Sequence, residues 1–200
     1  MAATNRDRVL KIIRRAGMVR LRDLRDRGFH PEQVRRLMEE GQVVRVARGV
    51  YVPADAEPTG NHSLAQAAKQ VPHGVICLLS ALRFHEVGTQ SPFEVWMALD
   101  RRARKPQVQQ PLLRVVWFSG TALIEGIEQH NIEGAKVAIY NPAKTVADCF
   151  KYRNKIGQDV AIEALRDGLR ERRFTRDDLW RYAKTCRVST VIRPYLEATA

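Results

Sequence analysis

The sequence has no apolar run approaching the roughly 18 residues that a membrane-spanning helix needs. Met1 to Arg8 lacks the apolar centre of a secretory leader. Cysteine is scarce: Cys77, Cys149 and Cys186 are odd in number and far apart, which argues against a disulfide framework and fits a reducing cytoplasm. Catalytic signatures are missing as well. There is no glycine-rich phosphate loop, no Gly-x-Ser-x-Gly and no His-Glu-x-x-His. The histidines (His30, His62, His73, His85, His130) are scattered, and none stands at metal-ligand spacing from a cysteine. His85-Glu86 is a lone dipeptide, for which a structural role is expected. These absences point to a protein that binds rather than catalyses, with no cofactor and no metal.

What is present is positive charge. The 200 residues are 44% hydrophobic and 28% charged, values that exclude wholesale disorder and allow one ordinary domain or two small ones. The net charge of +12 predicts attraction to a polyanion, with nucleic acid first among the choices. The charge is unevenly placed. Residues 1–52 carry 13 Lys+Arg against 6 Asp+Glu, residues 53–150 carry 9 against 9, and residues 151–200 carry 12 against 7. Two basic ends therefore flank a neutral middle. Of the 34 basic residues only 8 are Lys; Arg offers a planar fork suited to phosphates and guanine edges, although genomic base composition also raises Arg.

Three helices are expected in the first basic segment. Val9, Ile12, Ile13 and Ala16 recur at helical spacing over 5–16, and Gly17 ends the run. A second helix spans about Leu21–Arg27 and stops at Gly28. A third starts at Pro31, buries Val34, Leu37 and Met38, and closes at Gly41. The period then changes: Val44, Val46 and Val50 read as two short strands around Ala47-Arg48-Gly49. Three short helices and a basic hairpin in about fifty residues is the order of a winged helix-turn-helix.

Pro53 to Gly60 reads as a linker. Beyond it, His62–Val71 is helical, and Val75–Val87 is an apolar stretch whose length favours helix over strand. Phe93–Leu99 and Leu112–Phe118 read as strands, and Ile127–Ile132 and Ala135–Tyr140 as a hairpin around Glu133-Gly134. From Asn141, a cap followed by Pro142, the chain is helical to its end, with a capping box at Thr175–Asp178.

Candidate DNA contacts follow from this layout. Gln33, Arg35 and Arg36 on the third helix have the chemistry to reach base edges in a major groove. Arg45 and Arg48 in the wing suit phosphate or the minor groove, and Arg20 and Arg22 at the start of the second helix suit backbone phosphates. The plain alternative for each is a solvated surface. Arg101, Arg102, Arg104 and Lys105 form the densest basic cluster. Arg166, Arg170 and Arg173, with further basic residues, recur at helical spacing; these groups are a second surface for nucleic acid or an acidic partner, or simply charged faces.

Three segments together resemble AbiEi-family antitoxins: Leu37–Tyr51; Leu79-Ser80-Ala81-Leu82 followed by Pro92 and a strand; and Asn141–Phe150. The resemblance covers roughly residues 5–185. It implies an N-terminal winged helix joined to a C-terminal antitoxin domain, and autorepression through inverted repeats in the promoter of a two-gene operon. It also implies a type IV toxin–antitoxin system with a role in abortive infection. The toxin would be a nucleotidyltransferase-like protein, counteracted without necessary direct contact. The expected class is α+β: a winged helix-turn-helix at 1–52, a linker at 53–60 and a mixed α/β antitoxin domain ending in helices at 61–200. The partners are double-stranded operator DNA and a cognate toxin, with no membrane, in the cytoplasm. A solitary regulator, a toxin-sequestering module and a nuclease are the rivals; the last needs a carboxylate cluster that the linear sequence does not show.

Overall fold

A computed structural model describes residues 4–199. The chain divides into two compact units. One holds the residues up to His73 with Val108–Pro111 and His130–Val137; the other holds Gly74–Gln107, Leu112–Gln129 and the chain from Ala138 onward.

In the first unit, α1 (Asn5–Ala16) opens on a full capping box, in which the Thr4 hydroxyl accepts from the Asp7 amide and the Asp7 carboxylate accepts from the Thr4 amide. Strand β1 (Val19–Arg20), α2 (Leu21–Arg25) and α3 (Pro31–Glu39) follow, then β2 (Val43–Ala47) and β3 (Val50–Pro53). The strands form an antiparallel sheet in the order β1-β3-β2, with Val19 opposite Tyr51 and Val44 opposite Val52. Val9 and Ile13 of α1, Leu24 of α2, and Val34 and Leu37 of α3 close over Val19, Val43 and Tyr51 of the sheet as one core. Met38, expected in that stripe, is 37% exposed. Two apolar positions suffice to seat so short a helix on β2, and Met38 lies on the rim.

The first unit runs on through Pro53, which closes β3, to α4 (His62–Gln70). A carboxylate fixes this stretch. Glu133 Oε1 accepts from the amide and hydroxyl of Thr59 at 2.7 and 2.8 Å, and its Oε2 lies 2.6 Å from His62 Nδ1. The Glu133 carbonyl accepts from the Met18 amide at 3.0 Å. Gly134 follows at φ +74°, and a Cβ there would collide with the Ala16 carbonyl oxygen, so only glycine fits this close approach.

The second unit contains β4 (Val75–Ile76), α5 (Leu78–Phe84), β5 (Val95–Asp100), β6 (Leu113–Phe118) and the short α6 (Thr121–Ile124). The expected Ile127–Ile132 and Ala135–Tyr140 hairpin is present as β7 and β8. The five-stranded sheet has the order β6-β5-β4-β8-β7 and is mixed: β4 pairs parallel to β8 and antiparallel to β5, and β5 pairs parallel to β6. The class is α+β, as the sequence predicts. The apolar run from Val75 is not one helix. It splits at Cys77 into β4 and α5, because Val75, Ile76 and Leu78 are all buried and no single period separates strand from helix there.

Helices α7 (Pro142–Lys151), α8 (Arg153–Ile156), α9 (Gln158–Arg170), α10 (Arg176–Thr185) and α11 (Ser189–Glu197) complete the unit. Asn141 caps α7 by accepting from the Lys144 amide at 2.9 Å, and Thr175 forms the expected box with Asp178. Helices α5, α9 and α10 pack on α7, whose residues Ala143 to Phe150 are all buried. Two of these are charged. Lys144 Nζ donates to Asp148 Oδ2 at 2.6 Å, and both side chains are fully buried. Cys186 Sγ donates to Asp148 Oδ1 at 3.1 Å, and the Lys144 ammonium lies 4.1 Å from the Tyr140 ring centre. Burial pushes the Asp148 carboxyl above its usual range, against the pull of Lys144.

Removing one partner strands the other in the core. Lys144→Ala is expected to cost about 3–5 kcal/mol in urea unfolding of the full chain, whereas Lys144→Met combined with Asp148→Leu restores most of the loss. A single substitution that leaves the midpoint unmoved would contradict this role.

Candidate nucleic-acid interface

The sequence builds the interface from short elements held by caps. Helix α3 starts at Pro31, and the His30 ring nitrogen Nδ1 accepts from the Glu32 amide at 3.2 Å. Val34 and Leu37 face the core, which leaves Arg35, Arg36, Glu39 and Glu40 outward and Gln33 half-buried. The outward charges are largely paired. Arg35 forks onto Glu32, with Nε to Oε2 at 2.9 Å and Nη2 to Oε1 at 2.7 Å, and Arg36 Nε reaches the same Oε1 at 3.3 Å. The Arg35 hydrogen bond, with a lesser one from Arg36, holds the Glu32 carboxyl below its usual range. Arg6 of α1 takes Glu40 at 2.6 Å.

Arg20 and Arg22 flank the start of α2, but their settings differ. Arg20 is half-buried and bidentate on Asp23, with contacts of 2.7 and 3.2 Å, and this bond raises its affinity for its proton. Arg22 stands in solvent, 83% exposed, with Asp26 only at 3.9 Å. Arg25 and Arg27 are exposed nearby, and sequence reasoning missed both; only Arg25, three residues after Arg22, has the spacing that signals a shared helix face.

The wing is the β2–β3 hairpin. A bulge between Arg45 and Ala47 turns Arg45 outward, where its Nε donates to the Ala47 carbonyl at 3.1 Å. Gln66 of α4 donates to the bulged Val46 carbonyl at 2.6 Å and braces the strand. Arg48 is exposed at the tip, and no described residue bonds its guanidinium. Gly49 at φ +70° makes the turn, and its carbonyl accepts from the Leu21 amide at 2.8 Å. That bond places the wing tip beside the start of α2, so Arg22 and Arg48 come to one end of the unit.

In the second unit Arg101, Arg102, Arg104 and Lys105 are all exposed after β5. On α9 Arg166 is exposed, Arg170 pairs with Asp167 at 2.6 Å, and Arg173 beyond the helix lies 3.4 Å from Glu171 and 3.6 Å from Glu86. The three cysteines are free and buried, and burial pushes their thiols up, Cys186 to about 12. His85 Nε2 lies 2.8 Å from the Tyr140 carbonyl oxygen, a structural contact. Among the described residues no group of three or more His, Cys, Asp or Glu is placed to hold a metal, and no helix is long and apolar enough to cross a membrane.

Three helices with a sheet ordered β1-β3-β2 and an arginine-bearing wing define a winged helix-turn-helix domain. Residues 7–54 match the family model described as "Transcriptional regulator, AbiEi antitoxin". That segment, about a quarter of the chain, is what is similar to the AbiEi antitoxin family of transcriptional regulators. The fold is similar to the crystal structure of the Rv2827c protein from Mycobacterium tuberculosis, with a TM-score of 0.58 at 15% identity over 92% of this chain and 72% of that one. No curated protein sequence matches the chain.

Glu32 sets how much charge α3 presents to a polyanion. Glu32→Gln releases Arg35 and Arg36 and removes a carboxylate from the same face. It is expected to tighten duplex DNA binding several-fold in low salt and to steepen its salt dependence. Fluorescence anisotropy across a salt series measures both; unchanged affinity would show that α3 does not face the duplex.

Proposed function

We propose that the protein is an operator-binding antitoxin that represses its own two-gene operon and counters a nucleotidyltransferase-like toxin of a type IV system in the cytoplasm. The observation that supports this most is the helix order and wing of residues 5–53, which coincides with the family match at 7–54. In this reading Arg22, Arg45 and Arg48 bind phosphates, Arg20 shapes the start of α2, and Gln33, Arg35 and Arg36 meet base edges in the major groove of an inverted repeat. The first 52 residues serve DNA, 53–60 link, and 61–200 serve toxin neutralisation. The second activity falls to Arg101, Arg102, Arg104 and Lys105, together with Arg166, Arg170 and Arg173. The protein itself turns over no substrate.

Footprinting upstream of the gene should show a protected inverted repeat. Arg48→Ala is expected to weaken specific and non-specific binding alike. Gln33→Ala or Arg36→Ala should weaken the specific site more, by about 10- to 100-fold. Absence of a protected site would overturn the repressor reading.

Neutralisation is read separately, by growth of cells expressing the toxin gene. Reversing the charge of Arg101, Arg102, Arg104 and Lys105 in the full chain should impair rescue and leave operator binding intact. Full rescue by that variant would remove these residues from the antitoxin surface.

A further inference from the structure

A groove in the second unit carries chemistry that operator binding does not use. Its cavity of about 510 Å³ is lined by Arg101, Trp117, Ser119, Lys151, Tyr152 and Lys155 together with apolar β6 residues, and no carboxylate lines it. The volume lies within the range of small-molecule sites. The three cations come from two distant parts of the sequence: Arg101 just after β5, and Lys151 and Lys155 at the end of α7 and in α8. Backbone bonds hold them there. The Arg101 amide donates to the Phe118 carbonyl at 2.9 Å, and the Lys155 amide donates to the Tyr152 carbonyl at 2.7 Å.

The wall is aromatic. Tyr140, Phe118 and Tyr152 stack in sequence, with ring centres 5.8 and 5.6 Å apart, from the core outward. Lys155 Nζ sits 5.6 Å from the Tyr152 ring centre and Lys151 Nζ 5.9 Å from that of Phe118, which holds both ammonium groups near the wall. Tyr152 donates through its hydroxyl to the Trp117 carbonyl at 3.3 Å, and Trp117 is 39% exposed. Among the described residues no carboxylate pairs with Arg101, Lys151 or Lys155, whereas most of the arginines on α3 and near α9 have acidic partners. Three like charges with no carboxylate in contact favour a multiply charged anion. The ring of Tyr152, half-buried at the outer end of the aromatic stack, offers a face to a flat, unpaired base, which a duplex keeps inside its stack.

We propose that this groove binds a nucleoside phosphate, with phosphates on Arg101, Lys151 and Lys155 and the base against Tyr152. The ligand is either a free nucleoside triphosphate or the unpaired end of an RNA strand. The proposal does not depend on the operator or toxin reading. The full-length protein is titrated with each of the four ribonucleoside triphosphates, with a five-nucleotide RNA and with inorganic pyrophosphate, by calorimetry and tryptophan fluorescence. At least one triphosphate or the RNA should bind and quench the fluorescence. Lys151→Ala with Lys155→Ala should weaken that binding by about tenfold or more, as should Tyr152→Leu. Lys184→Ala, a charge loss elsewhere, should not. Thermal unfolding checks that the variants remain folded, and the double lysine variant changes only exposed side chains. Binding of the triphosphate without the RNA assigns a free nucleotide, and the converse assigns a strand end. Absence of binding up to millimolar ligand, equal affinity in the double lysine variant, or pyrophosphate binding as tightly as the nucleotides would each overturn the proposal.

Discussion

The second unit is organised around one buried ion pair. An ammonium and a carboxylate on successive turns of α7 are withdrawn from water, at a cost that only close and complete pairing offsets. Completing it takes residues from other elements: the Tyr140 ring from the end of β8, the Phe118 ring from β6 and the Cys186 thiol from the end of α10. A purely apolar α7 would tolerate several rotations against its neighbours. This one has a single orientation that satisfies both charges, and the same orientation sets Lys151 at its far end. The groove wall is therefore a continuation of the core packing.

The first unit divides its charge differently. On α3 Glu32 takes up Arg35 and Arg36, and Glu40 just beyond the helix takes up Arg6, so the helix presents hydrogen-bonding groups with little net charge. Exposed cations stand at Arg22, whose partner Asp26 is 3.9 Å away, and at the wing tip, brought together by the bond from the Leu21 amide to the Gly49 carbonyl. The flanks thus carry the exposed positive charge, and the helix carries a pattern of hydrogen-bond donors and acceptors.

Much of this was legible in the sequence because local rules decide it. The caps at Asn141 and Thr175, the Pro starts of α3 and α7, and the glycine turn of the wing each act within four residues, and each element begins or ends where they indicate. What was not legible depends on partners remote in sequence or on burial. Val75 to Leu79 is apolar at every position, so its period does not separate strand from helix. Lys144 and Asp148 have the spacing of an ordinary solvated pair, and only the packing of α5, α9 and α10 around them shows otherwise. Arg101 was visible as part of a basic run, but its convergence with Lys151 and Lys155 spans fifty residues and required the sheet to form.

The anchoring of Glu133 also determines where the chain tolerates added length. Ala54 is held by its bond to the Gln42 carbonyl and Thr59 by the Glu133 carboxylate, while Asp55 to Pro58 between them are exposed. A loop with both ends fixed bears extra residues at an entropic cost that grows only slowly with their number. At Glu133-Gly134 one added residue would displace the carboxylate from Thr59 and His62 and press a side chain against Ala16. Related chains should therefore vary freely in length between Asp55 and Pro58 and keep the two-residue turn unchanged, and a peptide tag or reporter belongs in the former position.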